Sequence, residues 1–323
     1  MELLNVKNLR THYLTPFGAV KAVEDVSFKL KKNMALGFAG ESGCGKTTIA
    51  LSIMRILPYP GQVLEGEVLF KGDDILKMKE SELRQVRWKG ISTVFQGAMA
   101  SLNPLYKVGR QIAEPIMLHE DITKTEAYSR ADELLELVGI ENTRANNYPW
   151  ELSGGMRQRV MIAMGLACNP DVIIADEPTT ALDVIVAHQV MNLIKELREK
   201  LDLSMILITH DISVIAQTCD ELAIMYAGKI VELSSVSNMY ESPIHPYTDA
   251  LINSFPNIKE EKRQLKSIAG SPPDLINPPA GCNFNPRCNY AQEICRTEEP
   301  QLKQIDNGHI VACHFSEEMV SKR

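Results

Sequence analysis

The sequence predicts an α/β fold in which buried parallel strands alternate with helices. Three apolar runs predict it, at residues 35–39, 172–177 and 204–211, because each is short and continuous, as strands buried on both faces are. A glycine-rich loop and a helix-compatible segment follow the first run, and the other two end in acidic residues or a histidine. Ligand sites in such sheets lie at the carboxyl ends of the strands, so we expect the functional residues there.

Composition limits the classes of protein that this chain can belong to. It has 323 residues, enough for one large domain and a smaller one, and a net charge of −7. A general nucleic-acid-binding protein is expected to carry a basic face, so the acidic balance argues against a nucleic-acid partner. The N-terminus does not resemble a signal peptide, and no run approaches the ~18 apolar residues of a membrane span. We therefore expect a soluble cytosolic protein.

Residues 1–35 alternate in polarity, which predicts antiparallel strands with an aromatic-containing loop between them. An aromatic ring beside a phosphate-binding loop can stack on adenine, and the alternative is an ordinary aromatic side chain packed on the core. We prefer Tyr13 to Phe17 as the stacking residue, because Tyr13 ends the first predicted strand.

The segment 40–48 fits the pattern G-x-x-x-x-G-K-[ST] of a phosphate-binding P-loop. A strand before it and a helix after it support the motif over a chance glycine-rich turn. The loop N–H groups and the helix N-terminus favour phosphate oxygens, while Lys46 would reach the β- and γ-phosphates and Thr47 would bind Mg²⁺. The candidate nucleotide-binding residues of this loop are Gly40, Ser42, Gly43, Cys44, Gly45, Lys46, Thr47 and Thr48.

The sequence pattern changes from strand-like to helical after the next predicted strand, at residues 91–96. This run ends in Gln96, where a parallel strand would end, although a lone glutamine at such a position is usually structural. Apolar positions between Thr123 and Val138 then recur at helical spacing, and Gly139 can end that helix. We predict a helical insertion at about residues 97–165.

A second glycine-containing segment has the chemistry of an anion site. Ser153, Gly154 and Gly155 precede a helix that we predict from Val160 to Cys168. A hydroxyl, exposed backbone N–H groups and a helix N-terminus together bind anions, although on their own they are equally consistent with a plain helix cap.

Two later strands end in residues that suit phosphate chemistry. Asp176 and Glu177 end the run at 172–177, where one acid can join the shell of Mg²⁺ and the other can polarise an attacking water. His210 follows the next buried run. A lone histidine there is usually structural, but this one ends a strand beside others that also end in candidate phosphate ligands.

These motifs follow the order and spacing of one known family. They are the P-loop, a glutamine-ended strand, L-S-G-G-x-x-Q-R, D-E-P-T, A-L-D and T-H-D. The chain thereby resembles the nucleotide-binding subunit of an ABC transporter from residue 1 to about 240. The resemblance implies a P-loop NTPase (RecA-like) core, an antiparallel β subdomain and a helical signature subdomain. It also implies an active ATPase, since no motif position departs from the family pattern.

The resemblance further implies composite sites that bind ATP and Mg²⁺. In this family two nucleotide-binding domains pack head to tail, so Ser153 and Gly155 would act on the ATP of a partner and Asp183 would lie at the dimer seam. The residues implied around Mg²⁺ are Thr47, Gln96 and Asp176. The implied catalytic residues are Glu177 as general base, His210 at the γ-phosphate and Gln96, which would also contact the attacking water.

After residue 240 the composition shifts to a proline-rich tail. Its segments 242–248 and 270–282 resemble the C-terminal extension of oligopeptide, dipeptide and nickel ABC importers. We therefore predict a nucleotide-binding domain at 1–240 and a small irregular Cys/Pro-rich extension at 241–323. The resemblance implies that ATP hydrolysis drives uptake of di- or oligopeptides, with an importer of nickel or another solute as the alternative.

The tail contains four of the seven cysteines, namely Cys282, Cys288, Cys295 and Cys313. In a reducing compartment such a group favours metal or iron–sulfur ligands over disulfides. The spacings of five, six and seventeen residues match neither the C-x₂-C pair of structural zinc sites nor the ferredoxin run. Within the family this pattern is associated with a [4Fe–4S] cluster, which we favour. The alternatives are Zn²⁺ on four cysteines, and unligated or redox-active cysteines.

The implied partners are a homologous second ATPase subunit, two transmembrane permease subunits and an extracytoplasmic substrate-binding protein. The implied location is the cytoplasmic face of the cell membrane, as a peripheral subunit. ABC ATPases of DNA repair are a remote alternative, because they carry long coiled coils or DNA-binding insertions, and only about a hundred residues separate Lys46 from Ser153 here. A translation-associated ABC protein would carry two P-loops, and this chain has one.

Overall fold

The structure is a computed structural model that describes residues 2–95, 97, 101–254, 268–306 and 308–321. The strands are β1 (Glu2–Thr15), β2 (Gly18–Lys31), β3 (Ala35–Ala39), β4 (Gly61–Phe70), β5 (Asp73–Asp74), β6 (Ile91–Val94), β7 (Val172–Asp176), β8 (Ser204–Ile208), β9 (Glu221–Tyr226), β10 (Lys229–Ser235), β11 (Lys303–Asp306) and β12 (His309–Val311). The helices are α1 (Lys46–Met54), α2 (Glu80–Val86), α3 (Val108–His119), α4 (Lys124–Leu137), α5 (Gly154–Gly165), α6 (Val184–Lys200), α7 (Ile212–Thr218), α8 (Val236–Glu241), α9 (Pro246–Ile252), α10 (Glu293–Thr297) and α11 (Ser316–Ser321).

The chain folds into two compact units, which we name after the motifs they contain. The P-loop unit comprises Leu4–Lys29, Leu36–Asp73 and His210–Arg323. The signature unit comprises Leu30–Ala35 and Asp74–Thr209, together with the first residues of the chain. No helix among the described residues is both long enough and apolar enough to cross a membrane.

In the P-loop unit, β3 pairs in parallel with β9, so that Leu36 lies opposite Glu221 and Ala39 opposite Ile224. All five residues of β3 are buried, and the P-loop and α1 follow this strand directly. The predicted antiparallel region is also present, since β1 pairs antiparallel with β4 and neighbours β2. The predicted sequence of strand, glycine loop and helix is therefore confirmed.

The proline-rich tail contributes strands to the sheet of the P-loop unit. Strand β12 pairs antiparallel with β10, with Glu232 opposite Val311, and β11 pairs with β12. The strand order of this unit is therefore β11-β12-β10-β9-β3. The periodicity of the sequence did not predict these two short strands, because they contain only four and three residues.

In the signature unit, β6, β7 and β8 form a parallel sheet in the order β8-β7-β6. Every residue of β7 and β8 is buried, which explains their continuous apolar sequences. The helix predicted at Thr123–Val138 is confirmed as α4, with the Thr123 hydroxyl accepting a hydrogen bond from the Glu126 N–H.

The helix predicted at Val160–Cys168 is displaced, since α5 runs from Gly154 to Gly165. Its N-terminal glycines have low helix propensity, which favoured a later start. The helix nevertheless begins there because the Ser153 hydroxyl accepts a hydrogen bond from the N–H of Met156, at 3.3 Å.

Candidate functional site

The P-loop is held between neighbouring backbone segments that leave no room for side chains at two of its glycines. A Cβ at Gly40 would lie 2.2 Å from the carbonyl oxygen of Met225, and one at Gly45 would lie 2.0 Å from that of Ala22. Gly45 has φ 106° and stands immediately before α1, in the left-handed conformation that glycine adopts readily. The loop ends at Gly45, the N-cap of α1, so it lies where the helix dipole favours an anion.

Lys46 is 6% exposed, and its ammonium group lies within the P-loop itself. Nζ donates hydrogen bonds to the carbonyl oxygens of Gly40, at 2.8 Å, and Glu41, at 3.1 Å, and contacts the Cys44 sulfur at 3.5 Å. Burial raises the pKa of the Cys44 thiol, so this neighbour is neutral as well. Because these acceptors are uncharged, a bound phosphate group would supply the negative charge that stabilises a buried ammonium.

The P-loop unit contains two further candidate nucleotide-binding residues, Tyr13 and His210, outside the P-loop itself. Tyr13 lies on β1 opposite Gly61, and a Cβ at Gly61 would be 2.8 Å from the Tyr13 ring. Phe17, which we ranked lower, is 88% exposed. His210 is exposed and lies just before α7, whose N-terminal cap is Asp211.

In the signature unit, the candidate residues of the signature and the dimer seam lie next to each other. A Cβ at Gly155 would be 2.5 Å from the Val186 side chain, and the Asp183 carboxylate accepts a hydrogen bond from the N–H of Val186 at 3.0 Å. Ser153 is exposed, and its hydroxyl oxygen caps α5. Its own O–H proton can still be donated to a phosphate oxygen.

The two acidic candidates of the signature unit follow one another at the carboxyl end of β7. Asp176 is 2% exposed and lies opposite Ile208 in the parallel register. Glu177 has φ 44°, an uncommon conformation for a residue with a side chain, and such strain clusters at functional sites. Its carboxylate accepts a hydrogen bond from the Thr180 hydroxyl at 2.8 Å. Gln96, the predicted magnesium and water ligand, lies outside the described residues.

All four cysteines of the tail line one pocket, so residues separated by up to 31 positions are brought together. The pocket has a volume of about 360 Å³ including its open mouth, and its other lining residues are mainly aromatic, proline and methionine side chains. Burial raises the pKa of Cys282 to about 11, and the neighbouring cysteines add to this effect. Burial also raises the pKa of Cys313 to about 11. The thiols of Cys282 and Cys313 are therefore neutral at pH 7, and binding of a metal would release their protons.

The shared pocket does not by itself identify a metal ion or a cluster. Within the described ranges, no three histidine, cysteine or acidic side chains are grouped closely enough to hold one metal ion. A structural zinc ion requires four ligands at about 2.0–2.3 Å from one point. The predicted iron–sulfur cluster and its zinc alternative therefore gain no support from the side-chain geometry of the described residues.

Similarity to known proteins identifies the family. The model of the ABC transporter family matches residues 23–180, and that of the oligopeptide/dipeptide transporter C-terminal region matches residues 231–295. The oligopeptide transport ATP-binding protein OppD of Bacillus subtilis is 47% identical over 96% of this chain and 87% of its own. A probable peptide ABC transporter ATP-binding protein of Sinorhizobium fredii is 46% identical over 99% of this chain and 96% of its own. This chain belongs to the ABC transporter ATP-binding proteins.

Solved structures agree with this assignment. The dimeric post-hydrolysis structure of the ATP-binding cassette MJ0796, bound to ADP and Pi, has a TM-score of 0.66 and 29% identity, and covers 72% of this chain and 99% of its own. The predicted α/β P-loop NTPase core and the predicted ATPase activity are thereby confirmed. The match of the C-terminal region likewise confirms the predicted oligopeptide/dipeptide subfamily.

A buried carboxylate ties the C-terminal region of this ABC protein to its nucleotide-binding core. Glu232 on β10 is fully buried and accepts hydrogen bonds from the N–H groups of Ile244, at 2.7 Å, and His245, at 2.9 Å. It also contacts Nε2 of His309 at 2.6 Å. Burial opposes ionisation of Glu232, but these hydrogen bonds outweigh it and hold its pKa below the usual range. Burial also lowers the pKa of His245 to about 4.

Sequence reasoning missed two residues that contact candidate site residues. Thr180 was part of a recognised motif, but only its distance from Glu177 reveals the hydrogen bond. Glu41 occupies a variable position of the P-loop pattern, and its partner Arg287 lies 246 positions later. No spacing rule links positions so far apart, so only the folded chain identifies this contact.

Proposed function

We propose that this protein is the ATPase subunit of an ABC importer for di- or oligopeptides. One observation carries the proposal: a complete set of ABC nucleotide motifs shares a chain with a C-terminal region of the oligopeptide/dipeptide type. An importer of nickel or another solute is the second candidate, because the solute is selected by subunits other than the ATPase.

In this proposal the P-loop residues bind ATP and the acidic residues activate water. Lys46 would neutralise the β- and γ-phosphates, and the Thr47 hydroxyl and Asp176 would hold Mg²⁺, which would supply positive charge to the phosphate oxygens. Glu177 accepts a proton from the attacking water. The remaining proposed roles are adenine stacking by Tyr13, phosphate contacts by Gly40, Ser42, Gly43, Cys44, Gly45 and Thr48, a γ-phosphate contact by His210, and a magnesium and water contact by Gln96.

The site is completed by a second subunit. The chain contains one P-loop and one signature, so Ser153, Gly154 and Gly155 would face an ATP bound by the partner, with Asp183 at the seam between subunits. The exposed Ser153 hydroxyl at the N-terminus of α5 suits such a contact, because both the O–H and the helix dipole favour phosphate. ATP then bridges the subunits, and its hydrolysis removes the bridge.

Two transmembrane permease subunits would convert this closing and opening into alternating access, and an extracytoplasmic binding protein would deliver the solute. The ATPase would then lie peripherally at the cytoplasmic face of the membrane. Affinity purification from native membranes tests the assembly. Recovery of two permeases, a peptide-binding protein and a second ATPase is the expected result, whereas recovery of a nickel-binding protein would favour the second candidate.

The Thr180 hydroxyl provides a prediction about Glu177. Thr180→Val keeps the shape of the side chain but removes the donor, so the carboxylate should lose its orientation. We expect kcat for ATP hydrolysis to fall by about threefold to tenfold with KM for ATP unchanged. Thr180→Ser retains the donor and is the matched control. A kcat equal to that of the unmodified protein in Thr180→Val would show that the hydrogen bond has no part in catalysis.

For the cysteine pocket we propose a [4Fe–4S] cluster held by Cys282, Cys288, Cys295 and Cys313. The cluster would link segments of a proline-rich region that has few apolar residues of its own, and its binding would release the thiol protons. This role is structural, and no step of ATP hydrolysis passes through it.

Anaerobic purification checks this proposal. The protein should be brown, absorb broadly near 400 nm and contain about four iron atoms per chain. Cys288→Ser should lose the colour and most of the iron, whereas Cys219→Ser, which changes a cysteine outside the pocket, should keep both. Stoichiometric zinc without iron would support the zinc alternative, and metal-free protein would support unligated cysteines.

A further inference from the structure

The first variable residue of the P-loop, Glu41, is fixed by the C-terminal extension at both its backbone and its side chain. The Glu41 N–H donates a hydrogen bond to the Tyr247 hydroxyl at 2.9 Å. Its carboxylate accepts two hydrogen bonds from the Arg287 guanidinium, at 2.6 Å and 2.9 Å. Paired bonds of this kind fix the geometry of both groups as well as their charge.

The two extension residues are themselves held firmly. The Arg287 side chain is 5% exposed, and its Nε donates a hydrogen bond to the carbonyl oxygen of Ala269 at 2.8 Å. Tyr247 is fully buried, and its ring lies 4.6 Å from that of Tyr226 and 5.3 Å from that of Phe284. These partners belong to the extension or to β9, so the position of Glu41 depends on how the extension packs.

The same P-loop residue contacts the phosphate-binding lysine. The Lys46 ammonium donates to the carbonyl oxygens of Gly40 and Glu41. A displacement of Glu41 would therefore displace an acceptor of Lys46. It would also disturb the turn closed by the hydrogen bond from the Cys44 N–H to the Glu41 carbonyl oxygen, at 3.3 Å.

The contact between Arg287 and Glu41 also affects the charge of the nucleotide site. The Glu41 carboxylate lies on the loop that must bind a highly charged triphosphate, and like charges repel most strongly where solvent is partly excluded. Its side chain is 25% exposed, so water screens it only in part. Arg287 neutralises this carboxylate, and without Arg287 the carboxylate would oppose the binding of ATP.

We propose that Arg287 and Tyr247 are positioning residues for the nucleotide site: they hold and neutralise Glu41, so that the C-terminal extension sets the affinity of the P-loop for ATP. The extension is in this sense part of the nucleotide site, although it supplies no phosphate ligand. Arg287 directly precedes Cys288, so the same short segment contacts the P-loop and lines the cysteine pocket.

Binding and kinetics of the full-length protein test the proposal. Arg287→Gln should raise the Kd for a non-hydrolysable ATP analogue, and the KM for ATP, by about tenfold, with kcat at saturating ATP changed by less than about twofold. The loss should shrink as salt is added, because repulsion by the exposed part of Glu41 is screened. Tyr247→Phe, which removes only the hydroxyl, should give a smaller loss in the same direction.

A second substitution that restores ATP binding distinguishes a positioning role of Arg287 from a general effect on folding. Arg287→Gln combined with Glu41→Gln removes the repelling charge and should recover most of the affinity. The matched control is Glu299→Gln, because the ion pair between Glu299 and Lys229 also joins the extension to β10 but does not touch the P-loop. This control should bind the analogue like the unmodified protein.

Two results would overturn the proposal. The first is an unchanged Kd in both Arg287→Gln and Tyr247→Phe. The second is a double variant that binds no better than Arg287→Gln, since the carboxylate would then not be the cause of the loss. If Arg287→Gln fails to fold, Tyr247→Phe decides the question: its Kd for the analogue should be higher than that of the unmodified protein, and an equal Kd would overturn the proposal.

Discussion

Replacing Glu177 with glutamine is expected to lower kcat for ATP hydrolysis by about 100-fold or more while ATP binding is retained. The amide has nearly the shape of the carboxylate but cannot accept a proton from the attacking water. The strained backbone at Glu177 and the hydrogen bond from Thr180 both constrain this carboxylate, as expected of a group whose orientation matters. Since hydrolysis would separate the subunits, ATP should also stabilise the closed dimer of this variant.

Steady-state ATPase assays and size-exclusion chromatography with ATP measure the two effects. Glu196→Gln is the matched control, because Glu196 is an exposed acid on α6 in the same unit. Glu177→Gln with normal steady-state turnover would contradict the role of general base. A variant that is inactive but stays monomeric with ATP would separate the catalytic role from the proposed bridging by nucleotide.

The parts of the fold that were predicted from the sequence are those determined by local patterns. Strands β3, β7 and β8 consist of five buried residues each, so their apolar runs are unambiguous. The P-loop glycines were predictable for a related reason. Gly45 has a positive φ and almost no room for a Cβ, so the motif requires glycine there and is easily identified.

The parts that were missed depend on contacts between distant positions. The start of α5 depends on one hydroxyl, that of Ser153, which outweighs the low helix propensity of the two glycines after it. Strand β12 pairs with β10, which lies about 80 residues earlier in the chain. The contact of Arg287 with Glu41 likewise depends on the folding of the tail back onto the P-loop, 246 positions earlier in the chain. Local periodicity contains no information about such pairings.

Lys46→Met is expected to weaken ATP binding by about 100-fold, because a hydrogen-bonded cation at the phosphates is replaced by an apolar side chain of similar length. The ammonium is buried, and its described acceptors are two carbonyl oxygens and a thiol whose pKa is raised by burial. Burying a charge against neutral groups costs free energy, and phosphate binding recovers it. The lysine therefore costs stability in the empty protein and contributes affinity in the complex.

This reasoning predicts that stability and binding change in opposite directions. Lys46→Met should keep or raise the thermal unfolding temperature of the nucleotide-free protein, while the increase in that temperature on adding ATP should largely disappear. Differential scanning fluorimetry with and without nucleotide measures both effects. Lys29→Met, at an exposed lysine of β2, should change neither. A lower unfolding temperature of the nucleotide-free Lys46→Met protein would mean that the ammonium stabilises the empty loop, and the argument from an uncompensated buried charge would then be wrong.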